Sequence, residues 1–251
     1  MKEELEKQER FFELGESYFW LAGQNDLVER ALTPYLTRLK TDAGPRPLRI
    51  LDLGCGPGNT LRRLERWGLT LGMDFSLDAL AFARARGAAR VFSGNSMALP
   101  IASESMDCVV ALDSLEHVED DGKALQEIRR VLQPGGVFLL TVPAFMSLWR
   151  HHDVMYGHFR RYSKREFAER VRLAGLVVEE HRFFKCVFFP PLLALAKAER
   201  LLSRLVPPRD NFYTVPKWLN RLMRNEIVWE DRSGLTRLLP FGVSLICVGS
   251  R

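Results

Sequence analysis

The sequence contains few cysteines, and none of them lie at the spacing of a metal or redox pair. Its four cysteines are isolated from one another, and no C-x-x-C pair occurs. Zinc ribbons and thioredoxin-like redox sites need such pairs, so neither is expected. A free cysteine in an apolar, strand-like segment behaves as a small hydrophobic residue. We therefore predict that Cys55, Cys108, Cys186 and Cys247 are buried thiols.

Long apolar runs are also missing. No stretch is apolar for long enough to span a bilayer, and the charged segment 1–7 lacks the apolar core of a signal peptide. Together with the cysteine pattern, this predicts a reducing, cytoplasmic location. The chain of 251 residues is long enough for one large α/β domain with an insertion.

Charge of one sign is not concentrated in this sequence. The formal net charge is +5 at pH 7, but the basic residues are scattered and their densest cluster, 160–165, is short. The solvated start of a helix explains such a cluster better than a nucleic-acid surface does. The sequence therefore predicts no nucleic-acid partner.

The segment 49–59 joins an apolar run to three glycines. Its first half is apolar enough for a parallel strand that is covered on both faces. Glycine at 54, 56 and 58 allows a sharp turn and the close approach of a ligand. Helical spacing resumes at Asn59. A strand, a glycine turn and a helix in this order predict the nucleotide-binding crevice of an open α/β sheet.

A second predicted strand, 69–74, ends in a carboxylate. Asp74 follows Gly54 by twenty positions, the spacing expected for an acidic residue that binds ribose hydroxyls. An ionised carboxylate makes the stronger, charge-assisted hydrogen bonds. The glycine turn and Asp74 together therefore favour a nucleotide-type ligand.

A dinucleotide enzyme does not fit this turn. The fingerprint G-x-G-x-x-G requires glycine where this chain has Asn59, and the run is D-x-G-x-G-x-G instead. The segment 213–217 has the Tyr-x-x-x-Lys spacing of a reductase, but Pro216 would break the helix on which that pair depends. A dehydrogenase is therefore not favoured.

Five landmarks in order resemble the class I S-adenosylmethionine (SAM)-dependent methyltransferases. They are the D-x-G-x-G-x-G turn at 52–58, Asp74, the L-P-[apolar] step at 99–101, the D-x-L-E-H segment at 113–117 and the L-x-P-G-G turn at 132–136. The resemblance implies an α/β fold: a doubly wound, seven-stranded, mostly parallel sheet of order 3-2-1-4-5-7-6 with the last strand antiparallel. It places SAM at the carboxyl ends of strands 1, 2 and 4.

The same resemblance implies the residues that contact the cofactor. Relatives usually carry an aspartate at position 95 that binds the adenine amino group, and the amide oxygen of Asn95 can accept that bond. The implied cofactor residues are Asp52, Gly54, Cys55, Gly56, Gly58, Asn59, Asp74, Phe75, Asn95, Ser96, Met97, Leu112, Asp113 and His117.

The segment 149–162 is rich in polar, titratable side chains. Its H-D-x-x-x-G-H-x-R-R-Y pattern resembles that of a branch of bacterial methyltransferases. We predict that His152 with Asp153, or His158, is the catalytic base. Arg160 and Arg161 would anchor an anionic part of the acceptor. The predicted substrate contacts are Trp20, Tyr156, Arg160, Arg161 and Tyr162.

Zinc is the competing interpretation of this segment. His151, His152, Asp153 and His158 offer nitrogen and oxygen ligands. Adjacent histidines in a loop rarely point the same way, and methyl transfer from SAM needs no metal. The sequence therefore predicts no metal site.

The chain is interpreted as a single methyltransferase domain over 1–251. Segment 1–40 is expected to be a helical lid over the cofactor, although its aromatic residues also suit a core position. Segment 185–240 is expected to be a helical cap between strands six and seven. Apolar and basic faces within 187–230 suit an acceptor pocket, a homodimer face or peripheral membrane contact.

These expectations define the function that the sequence favours. It is methyl transfer from SAM to an oxygen or nitrogen of a small-molecule, lipid or glycan-type acceptor. A protein lysine N-methyltransferase is the alternative, and a non-catalytic SAM-binding protein is a third reading. Nucleic-acid methyltransferases are not favoured, since no [DN]-P-P-[YF] motif follows strand four and no Pro-Cys pair occurs.

Overall fold

The computed structural model describes residues 17–202 and 215–251. A seven-stranded sheet of order β3-β2-β1-β4-β5-β7-β6 forms its centre, as the sequence predicted. The first five strands run parallel, and β7 pairs antiparallel with both β5 and β6. The strands are β1 (Leu48–Leu53), β2 (Gly68–Asp74), β3 (Val91–Ser93), β4 (Met106–Leu112), β5 (Leu132–Pro143), β6 (Val177–Phe184) and β7 (Ser244–Ser250).

Helices flank this sheet. They are α1 (Phe19–Ala43), α2 (Asn59–Leu64), α3 (Leu77–Ala85), α4 (Asp121–Val131), α5 (His151–Met155), α6 (Lys164–Leu173), α7 (Phe189–Leu202), α8 (Lys217–Arg232) and α9 (Leu235–Leu238), with 3-10 turns at Leu115–His117 and Met146–Leu148. Three of these helices are capped at the N-terminus by a side chain: α3 by Ser76, α4 by Asp120 and α6 by Ser163. Each cap oxygen satisfies a backbone N–H that the first helical turn leaves unpaired.

Two hydrophobic clusters cover the two faces of the sheet. One packs α4 and α6 against the sheet around Val109 and Phe138. The other packs α1 and α8 around Leu27, Ile50 and Ile227. Because the central strands are buried on both faces, their sequences are apolar at successive positions rather than alternating. All four cysteines are free and buried, as predicted.

Two boundaries differ from the sequence-based expectations. Within the segment 1–40 that was expected to be helical, residues 1–16 lie outside the described part of the chain, and α1 begins at Phe19 and continues past the segment to Ala43. The segment 149–162 is not wholly a loop, because residues 151–155 form α5 with Asp153 capping the backbone N–H of Arg150.

The two ends of the insertion between β6 and β7 lie next to each other at the edge of the sheet. Phe184 pairs with Ser244 in the β6–β7 register, and the N–H of Val243 donates to the carbonyl oxygen of Phe184. Helices α7, α8 and α9 lie within the predicted cap, while 203–214 fall outside the described residues. No helix in the described ranges is long and apolar enough to cross a membrane.

Several large apolar side chains of this insertion remain exposed. Leu201 is 81% exposed on α7, and Trp218 and Trp229 are 70% and 58% exposed on α8. The contact with a membrane or a second copy through 187–230 stays a prediction.

Candidate active site

The glycine turn after β1 has the backbone conformation that the sequence indicated. Gly54, Gly56 and Gly58 all adopt positive φ, at 78°, 51° and 81°. At Gly54 a Cβ atom would lie only 2.5 Å from the Cβ of Ser114, whereas at Gly56 it would meet no described atom within 4 Å. Gly54 is therefore required for packing against the turn after β4, and Gly56 opens the backbone toward the crevice.

Asp74 closes this turn at the end of β2. One of its carboxylate oxygens accepts the N–H of Gly56 at 2.8 Å, and the other accepts the N–H of Ser76 at 2.8 Å. The carboxylate thus joins the glycine turn to the start of α3. An ionised carboxylate has about four acceptor positions, so two contacts leave capacity for hydroxyl donors. Asp74 is half-buried at the carboxyl end of β2, and its contact with a ribose stays a prediction.

Asp52, which precedes the turn, is a buried acid without a partner for one oxygen. Its Oδ2 finds no hydrogen-bond partner among the described residues, and the residue is 1% exposed. Burial, with a smaller contribution from the charge of Asp74, raises the pKa of Asp52 to about 7. The buried carboxyl group of Asp52, with one unpaired oxygen next to the glycine turn, fits a ligand with a positive centre, such as SAM.

The other implied cofactor residues surround the same crevice at the carboxyl ends of β1 to β4. Phe75 follows Asp74 and is 88% exposed, so the face of its ring is accessible to an adenine base. The Oδ1 of Asn95 accepts the N–H of Met97 at 2.9 Å, so this oxygen already stabilises its own turn. The remaining positions lie in or beside the turns after β1, β3 and β4, with Asn59 beginning α2 and Leu112 ending β4: Cys55, Asn59, Ser96, Leu112, Asp113 and His117.

Asp113 is held by a network that the sequence did not reveal. The Nε2 of Gln24 on α1 donates to Oδ2 of Asp113 at 2.9 Å, and the hydroxyl of Thr141 on β5 donates to Oδ1 at 3.0 Å. Asp113 itself has positive φ, 46°, which costs energy in a residue other than glycine. These contacts stabilise that conformation and tie α1 to the cofactor edge of the sheet.

Lys185 completes the network from the end of β6. Its Nζ donates to Oε1 of Gln24 at 2.6 Å and lies 3.9 Å from the ring centroid of Trp20. The side chain is fully buried, and burial lowers its pKa to about 7, although Asp113 and Glu230 oppose this shift. A signal existed in the sequence, since a lone lysine sits within the apolar run 183–189, but its partner lies far away along the chain.

A second polar group forms around Asp153 on α5. Nδ1 of His158 lies 2.9 Å from Oδ1 of Asp153, and Nε of Arg161 donates to the same oxygen at 2.8 Å. Burial alone would raise the pKa of Asp153, but these hydrogen bonds and the charge of Arg161 lower it to about 2. Asp153 is therefore ionised and fixes the orientation of the His158 ring.

His158 faces the turn after β4. The rings of His117 and His158 meet edge to face with centroids 4.6 Å apart. Glu116, the neighbour of His117, is 1% exposed, and burial raises its pKa well above the ordinary value. Partial burial and then His158 lower the pKa of His117, while the charges of Asp113 and Asp74 act in the opposite direction. Both imidazoles thus lie at the turn after β4, at the carboxyl edge of the sheet.

The residues predicted to bind substrate are distributed over several environments. His152 packs against Tyr156, and burial lowers its pKa to about 4, so it is a poor base at neutral pH. Arg160 pairs with Asp121 at 3.1 Å. Trp20 lies half-buried over Lys185.

Tyr162, the last of the predicted substrate residues, lies in the core, and its role in substrate binding stays a prediction. It is fully buried, and its hydroxyl donates to Oδ2 of Asp121 at 2.8 Å. Its ring packs against Phe167 of α6 with centroids 5.1 Å apart. Tyr162 therefore joins the segment after α5 to α4 and α6.

Comparison with known proteins agrees with this geometry. Residues 51–140 match the methyltransferase domain family. The chain is 36% identical over 167 residues to the demethylmenaquinone methyltransferase of Roseiflexus castenholzii, covering 63% of this chain and 68% of that protein. It is 32% identical over 160 residues to the malonyl-[acyl-carrier protein] O-methyltransferase of Enterobacter lignolyticus, covering 61% and 62%.

A solved structure of similar fold covers nearly the whole chain. It is a SAM-dependent methyltransferase from Thermotoga maritima, which has 18% sequence identity, a TM-score of 0.56, and coverage of 98% of this chain and 95% of that one. The chain spans about half the length of several other curated relatives that it matches. The sheet order, the crevice and these similarities together establish that the chain belongs to the SAM-dependent methyltransferases, a family of enzymes.

Proposed function

We propose that this protein transfers a methyl group from SAM to an oxygen or nitrogen nucleophile of a small-molecule, lipid or glycan-type acceptor. The observation that carries the proposal is the His158 imidazole, which is fixed by Asp153 and meets His117 beside the cofactor crevice. A nucleophile placed there would lie at the carboxyl edge of the sheet, where this fold binds ligands.

The first role of the chain is to hold the cofactor. Asp52, the glycine turn and Asp74 fit the positive centre and the ribose of SAM. Bound SAM supplies an activated methyl group on a sulfonium, so the protein needs mainly to align the acceptor. Proximity and orientation can contribute on the order of 7–11 kcal/mol to lowering such a barrier.

The second role is to receive the acceptor's proton. Because Nδ1 of His158 is engaged with Asp153, Nε2 is the nitrogen that can accept a proton. The acceptor's lone pair forms the new bond to the methyl carbon as the carbon–sulfur bond breaks, and the acceptor's proton passes to Nε2. The ionised Asp153 stabilises the imidazolium that results.

His152 is the weaker of the two predicted bases. Its low pKa leaves it neutral but weakly basic, and its ring packs on Tyr156 rather than on His117. Both arginines are paired with an aspartate, Arg161 with Asp153 and Arg160 with Asp121. The side chain of Arg161 is 10% exposed and that of Arg160 is 22% exposed, so we assign Arg161 to positioning and keep Arg160 as the candidate anchor for an anionic acceptor.

The acceptor class is supported by chemistry and by relatives. Imidazole and aromatic side chains next to the crevice suit a compact acceptor. One relative is named as an O-methyltransferase and another as a demethylmenaquinone methyltransferase. Methylation of protein lysine is the alternative. Helix α1 would serve as part of the lid over 1–40, since Gln24 reaches Asp113 at the cofactor edge.

Transfer of labelled methyl from SAM into size-fractionated cell extract would identify the acceptor class. With that acceptor, His158→Ala should lower kcat by about 10² to 10⁴ while SAM affinity is retained. His151→Ala is the matched control, because His151 is an exposed histidine on α5, seven positions before His158. Label entering only the macromolecular protein fraction would favour the lysine alternative, and loss of activity in His152→Ala alone would reverse the base assignment.

A further inference from the structure

Three side chains that can bind a metal meet beside the cofactor crevice. One ligand atom each from Glu116, His117 and His158 lies within 4.8 Å of the other two. Glu116 and His117 come from the 3-10 turn after β4, and His158 comes from the segment after α5. The cluster is therefore assembled by the fold from two distant parts of the chain.

One oxygen of the Glu116 carboxyl group lacks a compensating partner. Its Oε2 is buried and finds no hydrogen-bond partner in the described part of the chain. A buried carboxylate without a partner is costly, and a cation beside it removes that cost. This second observation distinguishes the cluster from an ordinary pair of contacting histidines.

The surroundings of His158 match those of a metal ligand. A histidine that binds a metal through one ring nitrogen almost always donates its other N–H to a carboxylate, a carbonyl or water. Here Nδ1 of His158 is held by the carboxylate of Asp153, which Arg161 and the backbone N–H of Arg150 fix in turn. Nε2 is then the nitrogen available for an ion.

We propose that Glu116, His117 and His158 form a binding site for a divalent transition-metal ion of the zinc type. Two imidazoles and one carboxylate are a ligand set that zinc uses, with bonds of about 2.0–2.2 Å. Magnesium is not expected, because it prefers oxygen ligands. The ligand atoms must draw together by about 1 to 2 Å on binding, given those bond lengths.

This site deepens the proposed function and rests on it for its effect on activity. The ion and the acceptor's proton would use the same nitrogen, Nε2 of His158. Binding of the ion therefore excludes His158 from its role as a base and inhibits methyl transfer. Removal of the ion by a chelator restores activity.

Cobalt is a suitable probe, since Co²⁺ occupies zinc-type sites and absorbs visible light. We expect the purified full-length protein to bind one equivalent of Co²⁺ with d–d absorption, and Zn²⁺ to displace it. The bands should lack thiolate charge transfer, because all four cysteines are buried. Equilibrium dialysis gives the affinities.

The variants separate the site from adventitious binding. His158→Ala and Glu116→Gln should each weaken Co²⁺ binding by more than about tenfold. Asp153→Asn should weaken it by about 10- to 100-fold, because Asp153 orients the ligand His158 through its Nδ1. His151→Ala should bind as the wild type does. Retained SAM binding shows that each variant is folded.

Two results would overturn the proposal: no Co²⁺ bound by the wild type, or binding lost in His151→Ala but kept in His158→Ala. Activity is recorded separately. Stoichiometric binding that the variants abolish, without inhibition, would uphold the metal site and contradict the assignment of His158 as the base.

Discussion

The Nζ of Lys185 lies 2.6 Å from the Oε1 of Gln24, although 161 positions separate the two residues in the chain. The Nε2 of Gln24 donates a hydrogen bond to Asp113, so this one amide side chain connects the end of β6 to the end of β4. This relationship fixes how α1 lies over the cofactor edge. It also buries an amine that would be charged in water.

The first prediction concerns the pH dependence of stability. The pKa of Lys185 is about 7 in the folded protein and 10.5 ordinarily. Between these values the unfolded chain holds a proton that the folded protein lacks, so this group makes stability rise with pH. Below about pH 7 both states are protonated and the full penalty of burying the charge is present.

We expect the wild type to gain stability relative to Lys185→Met as the pH is raised from 7 to 10. The upper limit is about 1.4 kcal/mol per pH unit. Urea unfolding of both proteins across this range measures the difference. Lys40→Met, at an exposed position of α1, should give no such trend. A constant difference between wild type and Lys185→Met would show that the amine stays charged.

The second prediction concerns Asp74 and the cofactor. Asp74→Asn removes the charge that strengthens hydrogen bonds to ribose hydroxyls, and such bonds are worth about 1.5–3 kcal/mol. SAM affinity should fall by about 10- to 100-fold in titration calorimetry, following that energy. Asp78→Asn is the control, because Asp78 is an exposed aspartate in the first turn of α3. Equal losses in the two variants would exclude a specific role for Asp74.

The third prediction concerns the glycine turn. Gly54→Ala combines a positive φ of 78° with a Cβ 2.5 Å from that of Ser114. We expect a loss of about 1–3 kcal/mol in unfolding free energy from overlap, beyond the backbone strain. Gly87→Ala gives the backbone strain alone, since its φ is 93° and no described atom lies within 4 Å. If both variants lose the same stability, the contact with Ser114 has no cost.

The fourth prediction separates structure from substrate binding at Tyr162. Tyr162→Phe removes the hydrogen bond to the carboxylate of Asp121 and should cost about 1.5–3 kcal/mol of stability, as expected for a bond to a charged group. The KM for the acceptor should not change, because the side chain is fully buried. Tyr35→Phe, at a half-buried position on α1, should cost less. A raised KM with unchanged stability would restore Tyr162 as a substrate residue.

Local patterns predicted the part of the site that lies close together in the sequence. The glycine turn joins β1 to α2, and Asp74 ends the next strand, β2, so both belong to one strand–helix–strand unit in which spacing determines geometry. The strand order followed from the resemblance, because this family's landmarks come in a set order along the sheet.

Contacts between distant segments could not be read in the same way. The sequence paired Asp153 with its neighbour His152, but successive helical residues point about 100° apart. The carboxylate of Asp153 instead accepts the backbone N–H of Arg150 and contacts Nδ1 of His158. Likewise, nothing in the sequence could indicate that His117 meets His158, since that contact depends on how the segment after α5 packs on the turn after β4.

The hydrogen bond between Val243 and Phe184 has an evolutionary consequence. The insertion 185–243 begins and ends next to the paired residues Phe184 and Ser244. Its length can therefore change without altering the register of β6 and β7. A shorter or longer segment that keeps Lys185 and the packing of α8 on α1 would leave the strands around the glycine turn in place. The cap can therefore vary in length among related chains while the sheet order stays constant.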